Sequence, residues 1–118
     1  MTPEQVVRSQ LDAWGRFDVD EIMSYFTDDI VLDFVPFGPV AGRDKVRKTV
    51  EAYVSRISAG QIELLNLAVA GNVVLTERID HFCWDGEMFD SRCMGALEID
   101  GDKISAWRDY FDMSKGGH

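Results

Sequence analysis

The first half of the chain carries apolar residues at helical spacing. Thr2 is a suitable N-cap, Pro3 suits the first helical position, and Gln5 completes a capping box. Apolar side chains then recur every three or four residues as far as Trp14, and Gly15 ends the segment. The pattern predicts one amphipathic helix.

Two further helices are predicted before Gly60. Asp18 caps a short helix that includes Tyr25 and Phe26. A longer helix begins at the cap Asp44 and ends at about Ile57. Its apolar stripe consists of Val46, Val50, Tyr53, Val54 and Ile57.

The remaining segments alternate in polarity, as β-strands do. Residues 30–35 predict a strand with Leu32 and Phe34 on one face, and a rigid loop follows at residues 36–39. After Gly60 the chain predicts four long antiparallel strands, at residues 61–70, 73–84, 87–99 and 103–113. Three helices followed by such a meander predict an α+β domain, in which the helices cover a strongly curved sheet and enclose an apolar pocket.

Charged residues lie in the middle of two of these apolar strands. Arg78 and Asp80 are two positions apart and share a face, and Trp107, Asp109 and Phe111 share one on the last strand. A buried charge is tolerated only when it is paired, and an Asp–Arg–Asp set compensates itself. Such a set could fix the strand register, or its two carboxylates could hold different protonation states for acid–base catalysis.

The turn signals predict how these strands pair. A two-residue turn at residues 85–86 places Arg78 opposite Cys93 and Asp80 opposite Ser91. Asp109 reaches the same face if it pairs with an odd-numbered neighbour such as Cys93. That pairing needs a three-residue loop at residues 100–102, or a β-bulge.

Composition and charge limit the partners. The chain has 118 residues and predicts a single domain over residues 1–118. A formal charge of −9 argues against nucleic acid or an anionic membrane as a partner. The first residues, 1–4, lack the basic and apolar regions of a signal peptide, so the cytoplasm is the expected location. Cys83 and Cys93 are expected to be reduced, and with His81 and the terminal His118 far apart no metal or other cofactor is expected.

Two segments resemble the limonene-1,2-epoxide hydrolase family, within the nuclear-transport-factor-2-like (SnoaL-like) fold. They are residues 76–80, Thr-Glu-Arg-Ile-Asp, and residues 101–112, which include Trp-Arg-Asp-Tyr-Phe-Asp. Weaker similarity at residues 11–13, 24–29 and 42–44 extends the resemblance over nearly the whole chain. It implies a cone-shaped domain that acts on a small hydrophobic substrate without a cofactor, and a homodimer formed through the outer face of the sheet.

The resemblance also implies roles for individual residues. Arg78 corresponds to the bridge of the family's Asp–Arg–Asp triad, Asp80 to the acid that protonates the epoxide oxygen, and Asp109 to the base that deprotonates water. The family's Tyr and Asn, which help to hold the water, correspond here to Leu32 and Phe34, and both are apolar. The expected substrate-binding residues are Leu32, Phe34, Trp107, Phe111, Phe82 and Tyr53, although several of them could equally belong to the core.

The sequence is therefore consistent with three functions. The first is epoxide hydrolysis, favoured by the triad and opposed by the apolar Leu32 and Phe34. The second is a cofactor-free isomerase or cyclase of the SnoaL-like kind, whose drier pocket would open an epoxide with a hydroxyl of the substrate itself. The third is a non-catalytic module that binds an apolar ligand or another protein. Substitution of Asp109 by Asn distinguishes these functions. Either enzyme should lose nearly all turnover, whereas a binding module should be unaffected.

Overall fold

The computed structural model describes residues 1–35 and 37–112. The predicted positions Pro36, Met113 and His118 lie outside this part of the chain. The described helices and strands are α1 (Pro3–Gly15), α2 (Val19–Ser24), β1 (Phe26–Val35), β2 (Gly38–Ala41), α3 (Arg43–Arg56), β3 (Ile57–Ala70), β4 (Val73–Trp84), β5 (Glu87–Asp100) and β6 (Lys103–Phe111).

The strands form one curved, unclosed sheet in the order β2-β1-β6-β5-β4-β3. The pairing of β1 with β6 is parallel, and every other neighbouring pair is antiparallel. The helices cover one face of the sheet, and the main hydrophobic core lies between the two layers. The predicted α+β class is therefore confirmed. None of the described helices has the length and apolar character needed to cross a membrane.

Helix α1 begins as the sequence predicts. The Thr2 side chain accepts a hydrogen bond from the Gln5 amide at 3.2 Å, and the Thr2 amide donates to the Gln5 side chain at 2.8 Å. These reciprocal bonds satisfy N–H groups that the first turn leaves without helical partners. The inner face of α1 buries Trp14 and the other stripe residues, which fixes the helix on the sheet.

The boundary between α2 and β1 differs from the prediction. Tyr25 is the C-cap of α2, and Phe26 is the first residue of β1 instead of the last residue of a helix. Phe26 pairs with Ile104, and the Ile104 amide donates to the Tyr25 carbonyl at 2.7 Å. Pairing with β6 thus overrides the local preference of residues 27–29 for a turn.

Three predictions around α3 also need correction. The predicted loop at residues 36–39 instead leads into the short strand β2, which pairs with β1. Gly42, and not Asp44, is the N-cap of α3, and its carbonyl accepts from the Val46 amide at 2.9 Å. The next strand begins at Ile57, four residues before the predicted Gln61, because Ile57 pairs with Trp84 at the end of β4.

The strand register agrees with the prediction at β4 and β5 and differs in detail at β6. Arg78 lies opposite Cys93 and Asp80 lies opposite Ser91, as expected. Asp109 pairs with the odd-numbered Gly95, whereas Cys93 pairs with Phe111. The predicted register required either a three-residue loop at residues 100–102 or a β-bulge. The structure has a β-bulge, where the pairing of β5 with β6 passes from Glu98 to Ile99.

The outer face of the sheet carries an ion-pair cluster centred on His81. Its Nδ1 lies 2.7 Å from Asp90 Oδ1, and its Nε2 lies 2.9 Å from Glu63 Oε1. These hydrogen bonds, first that with Glu63 and then that with Asp90, raise the pKa of His81 above its ordinary value. The cluster joins β3, β4 and β5 on the face opposite the pocket, where His81 was predicted.

The raised pKa of His81 predicts a pH-dependent contribution to stability. Because the folded protein binds the proton more tightly than the unfolded chain, the stabilisation is fully present below the unfolded pKa of about 6.5 and is lost as pH rises through the folded pKa. Urea unfolding of wild type and His81→Gln between pH 5 and pH 9 measures it. The difference in unfolding free energy should be largest at low pH, and a difference that grew with pH would contradict the assignment.

Candidate functional site

The centre of the site is the buried guanidinium of Arg78, which holds a carboxylate on each side. Its Nε and Nη2 lie 3.3 and 3.1 Å from the two oxygens of Asp80. Its Nη1 and Nη2 lie 3.0 and 2.8 Å from the two oxygens of Asp109. The three residues are 2 to 4% exposed, so the pairs are shielded from water. Two-point contacts of this kind fix the orientation of both carboxylates.

Three neighbouring side chains complete this network. Thr76 Oγ1 accepts from Arg78 Nη1 at 3.1 Å, beneath the guanidinium. Trp107 Nε1 donates to Asp109 Oδ1 at 2.7 Å. Cys93 Sγ lies 3.0 Å from Arg78 Nη2 and 3.4 Å from Asp80 Oδ2. Asp109 is thereby held by two residues from two strands, which locks the direction of its remaining lone pairs.

The electrostatics of the site follow from its burial and its uneven charge. Burial lowers the pKa of Arg78, but the charges of Asp109 and Asp80 outweigh that effect and raise it well above its ordinary value. The guanidinium therefore stays charged. Two ionised carboxylates and one guanidinium leave one uncompensated negative charge in a buried place, and a single bound proton removes it.

Cys93 adds a thiol to the site but not a nucleophile. Burial, opposed by the Arg78 charge, raises the pKa of Cys93 far above its ordinary value, so the sulfur keeps its proton. The ligand atoms of Asp80, Cys93 and Asp109 lie within 4.8 Å of one another, a spacing that could suit a metal. The guanidinium of Arg78 already contacts all three residues, so this cluster has a built-in cation and does not fit a metal ion.

A cavity of about 40 Å³ opens over the triad. Arg78, Asp80 and Asp109 form its polar wall, and its other walls are mainly aromatic. The remaining lining residues are Trp14, Phe34, Tyr53, Ile57, Ile62, Phe82, Trp84 and Trp107. A polar cluster at the wall of a concave apolar pocket is the usual arrangement of a small-molecule site.

The structure brings together all three predicted triad residues and four of the six predicted substrate-binding residues. Phe34, Tyr53, Phe82 and Trp107 line the cavity. Leu32 is buried in the core, and the ring of Phe111 contacts that of Phe37 in a tilted arrangement with a centroid separation of 5.8 Å. Neither of these two is a lining residue, and the contact of any of the six with substrate stays a prediction.

Four further lining residues were not predicted from the sequence, namely Trp14, Trp84, Ile57 and Ile62. The signal for Trp84 was present, because the even-numbered residues of β4 from Val74 onward all face inward, and Trp84 continues that series. The other three come from α1 and β3, and their meeting over the triad depends on how helices and sheet pack, which periodicity does not determine.

Gly95 makes room for the triad. A Cβ at this position would lie 2.7 Å from Arg78 Nη1, 2.7 Å from Asp109 Oδ1 and 2.9 Å from Thr76 Oγ1. These distances are shorter than any real Cβ contact, so the side chains would have to move. Only glycine allows Arg78 and Asp109 to meet directly over β5.

Gly95→Ala is therefore expected to damage the site. A displacement of the triad by about 1 Å predicts a ~100-fold loss of turnover. Gly15→Ala is the matched control, because no heavy atom lies within 4 Å of the added Cβ. Steady-state kinetics of both variants measures the effect. Equal turnover of Gly95→Ala and wild type would show that the close packing of Arg78 and Asp109 over Gly95 is not needed for activity.

Comparison with known proteins identifies the relatives of this chain. Residues 1–115 match the model of the limonene-1,2-epoxide hydrolase catalytic domain. The epoxide hydrolase EphG of Mycobacterium tuberculosis is 27% identical over 107 residues, which are 91% of this chain and 71% of EphG. A solved structure of an LEH-like epoxide hydrolase from M. tuberculosis has a TM-score of 0.86 and 26% identity, over 96% of this chain and 84% of that chain.

More distant structures share the fold alone. A protein of ketosteroid isomerase-like fold from Catenulispora acidiphila, in complex with trimethylamine, has a TM-score of 0.85 and 20% identity, over 98% of this chain and 90% of that one. A SnoaL-like polyketide cyclase from Shewanella denitrificans has a TM-score of 0.83 and 13% identity, over 96% and 92%. The predicted NTF2-like, SnoaL-like fold is confirmed. With the match over residues 1–115, the chain belongs to the limonene-1,2-epoxide hydrolase family.

Proposed function

We propose that this protein is an epoxide hydrolase that opens a small hydrophobic epoxide in one step. The observation that carries the proposal is the two-point contact of Arg78 with both Asp80 and Asp109 at the wall of an apolar cavity. Family membership and the name of the relative EphG support the same reaction class.

The two carboxylates have complementary roles. Asp109 takes a proton from water, whose oxygen forms a bond to one epoxide carbon. The bond between that carbon and the epoxide oxygen breaks, and the departing oxygen takes the proton of Asp80. The product is a vicinal diol, and the proton now on Asp109 must return to Asp80 before the next turnover. Arg78 keeps the two groups in place, and its positive charge balances the single negative charge present throughout.

The aromatic walls support a hydrophobic substrate. Phe34, Tyr53, Phe82 and Trp107 offer apolar surface beside the carboxylates, and they are the substrate contacts that we propose. Leu32 and Phe111 lie further from the cavity and would act through the packing of the wall. Apolar walls beside a pair of carboxylates favour a hydrophobic epoxide over a polar one.

A water-excluding isomerase or cyclase is the second candidate. The observation in its favour is the apolar character of Leu32 and Phe34, because Phe34 is the residue of β1 that pairs with Asp109. Intramolecular opening would use the same base and acid but would take the proton from a hydroxyl of the substrate. A third possibility, a binding module without activity, predicts that no epoxide is consumed.

A panel of small cyclic and aryl epoxides, some of which carry a hydroxyl, separates these candidates. Mass spectrometry of the products tests whether a water molecule has been added. A diol supports the hydrolase. A cyclic ether or another isomer, with the same mass as the substrate, would favour the isomerase or cyclase over the hydrolase. If no epoxide of the panel were consumed, both enzyme functions would be contradicted for these substrates.

We also propose that two copies of the chain pair through the outer face of the sheet. Met94 and Tyr110 are 51% and 50% exposed there and lie opposite each other on β5 and β6, and the nearby Leu75 is 42% exposed. An exposed apolar patch of this kind favours a protein contact. Sedimentation should give a dimer for wild type and a monomer for Met94→Lys, and a wild-type monomer would contradict the proposal.

A further inference from the structure

The attacking water needs more than a base. Asp109 accepts one of its protons, but a water held at one point can rotate about that hydrogen bond. A second polar group must fix the direction of the lone pair that attacks the epoxide carbon. The residues of β1 beside the base do not supply it, because Leu32 is apolar and Phe34, the register partner of Asp109, is apolar too.

Three other polar side chains of the domain do not line the cavity. Thr76 lies beneath the guanidinium and accepts its hydrogen bond. Ser91 is 3% exposed, and Tyr25 packs at the end of α2, and neither residue lines the cavity. Outside the triad, the described lining residues with an N–H or O–H group are Trp14, Trp84, Trp107 and Tyr53.

Tyr53 contacts Phe34, which is the neighbour of the proposed base Asp109. Its ring makes an edge contact with Phe34 at a centroid separation of 5.1 Å, and Phe34 pairs with Asp109. Tyr53 belongs to the inward stripe of α3 with Val46 and Val50, so it enters the cavity from the side opposite the sheet. Of the four lining side chains it alone can both donate and accept, because an indole N–H only donates.

We propose that the hydroxyl of Tyr53, carried by α3, holds the attacking water together with Asp109. The inference rests on the proposed hydrolase function and adds a residue that touches the reacting water. The cavity volume of about 40 Å³ exceeds the roughly 10–15 Å³ that one water requires. The water would give one proton to Asp109 and donate its second hydrogen to the Tyr53 oxygen, which leaves its lone pairs free to attack the epoxide carbon.

The electrostatics of Tyr53 agree with this role. Burial raises the pKa of Tyr53, Arg56 lowers it, and the charge of Asp109 raises it again, with a net increase above 10.0. The phenol therefore keeps its proton at neutral pH and acts as a hydrogen-bonding group.

Tyr53→Phe tests the inference, because it removes the hydroxyl and keeps the ring. We expect kcat for diol formation to fall ~10–100-fold. KM and the urea midpoint should stay close to wild type, since the aromatic contacts remain. Tyr25→Phe is the matched control, and it loses a hydroxyl outside the cavity. Adding Phe34→Asn to Tyr53→Phe places an amide beside Asp109 and should restore part of kcat.

Two results would overturn the inference. The first is that wild type forms diols and Tyr53→Phe forms them with the same kcat. This result would contradict the role of Tyr53 but not the proposed hydrolase function. The second comes from crystals of the wild-type protein at high resolution. An ordered water within hydrogen-bond distance of both Tyr53 Oη and Asp109 is expected, and a cavity without one contradicts the inference even if no epoxide in the panel is hydrolysed.

Discussion

Asp109→Asn should lower kcat for epoxide opening by about 10³-fold, within the ~10²–10⁴-fold range typical of a general base. The amide has nearly the shape of the carboxylate, so Arg78 and Trp107 keep a partner at this position. It cannot accept the proton of the water, however, and the attacking oxygen is left without a base. Steady-state kinetics with a substrate identified in the panel measures the loss.

Two controls separate chemistry from folding in the Asp109→Asn experiment. The urea midpoint of the variant shows whether the domain is intact. Asp100→Asn removes an exposed carboxylate at the end of β5, outside the cavity, and should leave kcat unchanged. Unchanged turnover in Asp109→Asn would show that Asp109 is not the base, and a panel ligand that bound equally well to both proteins without turnover would favour the binding module.

Arg78→Met should cost ~3–5 kcal/mol of unfolding free energy, the usual effect of removing one partner of a buried ion pair. Asp80 and Asp109 would then lie in the interior without the cation that compensates them. A domain of this size has only about 5–15 kcal/mol of stability in total, so the variant should be close to unfolding. Urea denaturation followed by circular dichroism measures the change.

Arg8→Met is the matched control for Arg78→Met. Arg8 pairs with Glu4 at 2.8 Å on the surface of α1, where both side chains are about half exposed. The loss of such a pair costs at most about 1 kcal/mol, because water solvates the remaining charge. If the two variants lost similar amounts of unfolding free energy, the triad would not be buried in solution as it is in the structure.

The sequence predicted the triad because strand alternation is strict. Residues two apart share a face, so Arg78 and Asp80 had to point the same way, and the short turn after β4 set them opposite Cys93 and Ser91. Because the charges of Arg78, Asp80 and Asp109 compensate one another, the three side chains could be expected to lie in the interior. The same reasoning placed His81 on the outer face, where it lies between Glu63 and Asp90.

Other features depended on tertiary contacts that no local pattern encodes. The bulge after Glu98 decides that Asp109 lies over Gly95, and the sequence permitted a longer loop equally well. The early start of β1 depends on parallel pairing with β6, which comes from the other end of the chain. Leu32 and Phe34 share a face as predicted, but only Phe34 reaches the cavity, because depth along a strand is set by the packing of the helices.

The most direct test of the one-step mechanism is a single turnover in oxygen-18 water with enzyme in excess over epoxide. Direct attack by water held on Asp109 predicts a diol that carries the label from the first turnover, and carboxylates of Asp80 and Asp109 that carry none. An unlabelled first diol with label on one of these carboxylates would contradict the account, because it would require an ester intermediate. A product without any added oxygen would contradict it as well and favour the cyclase.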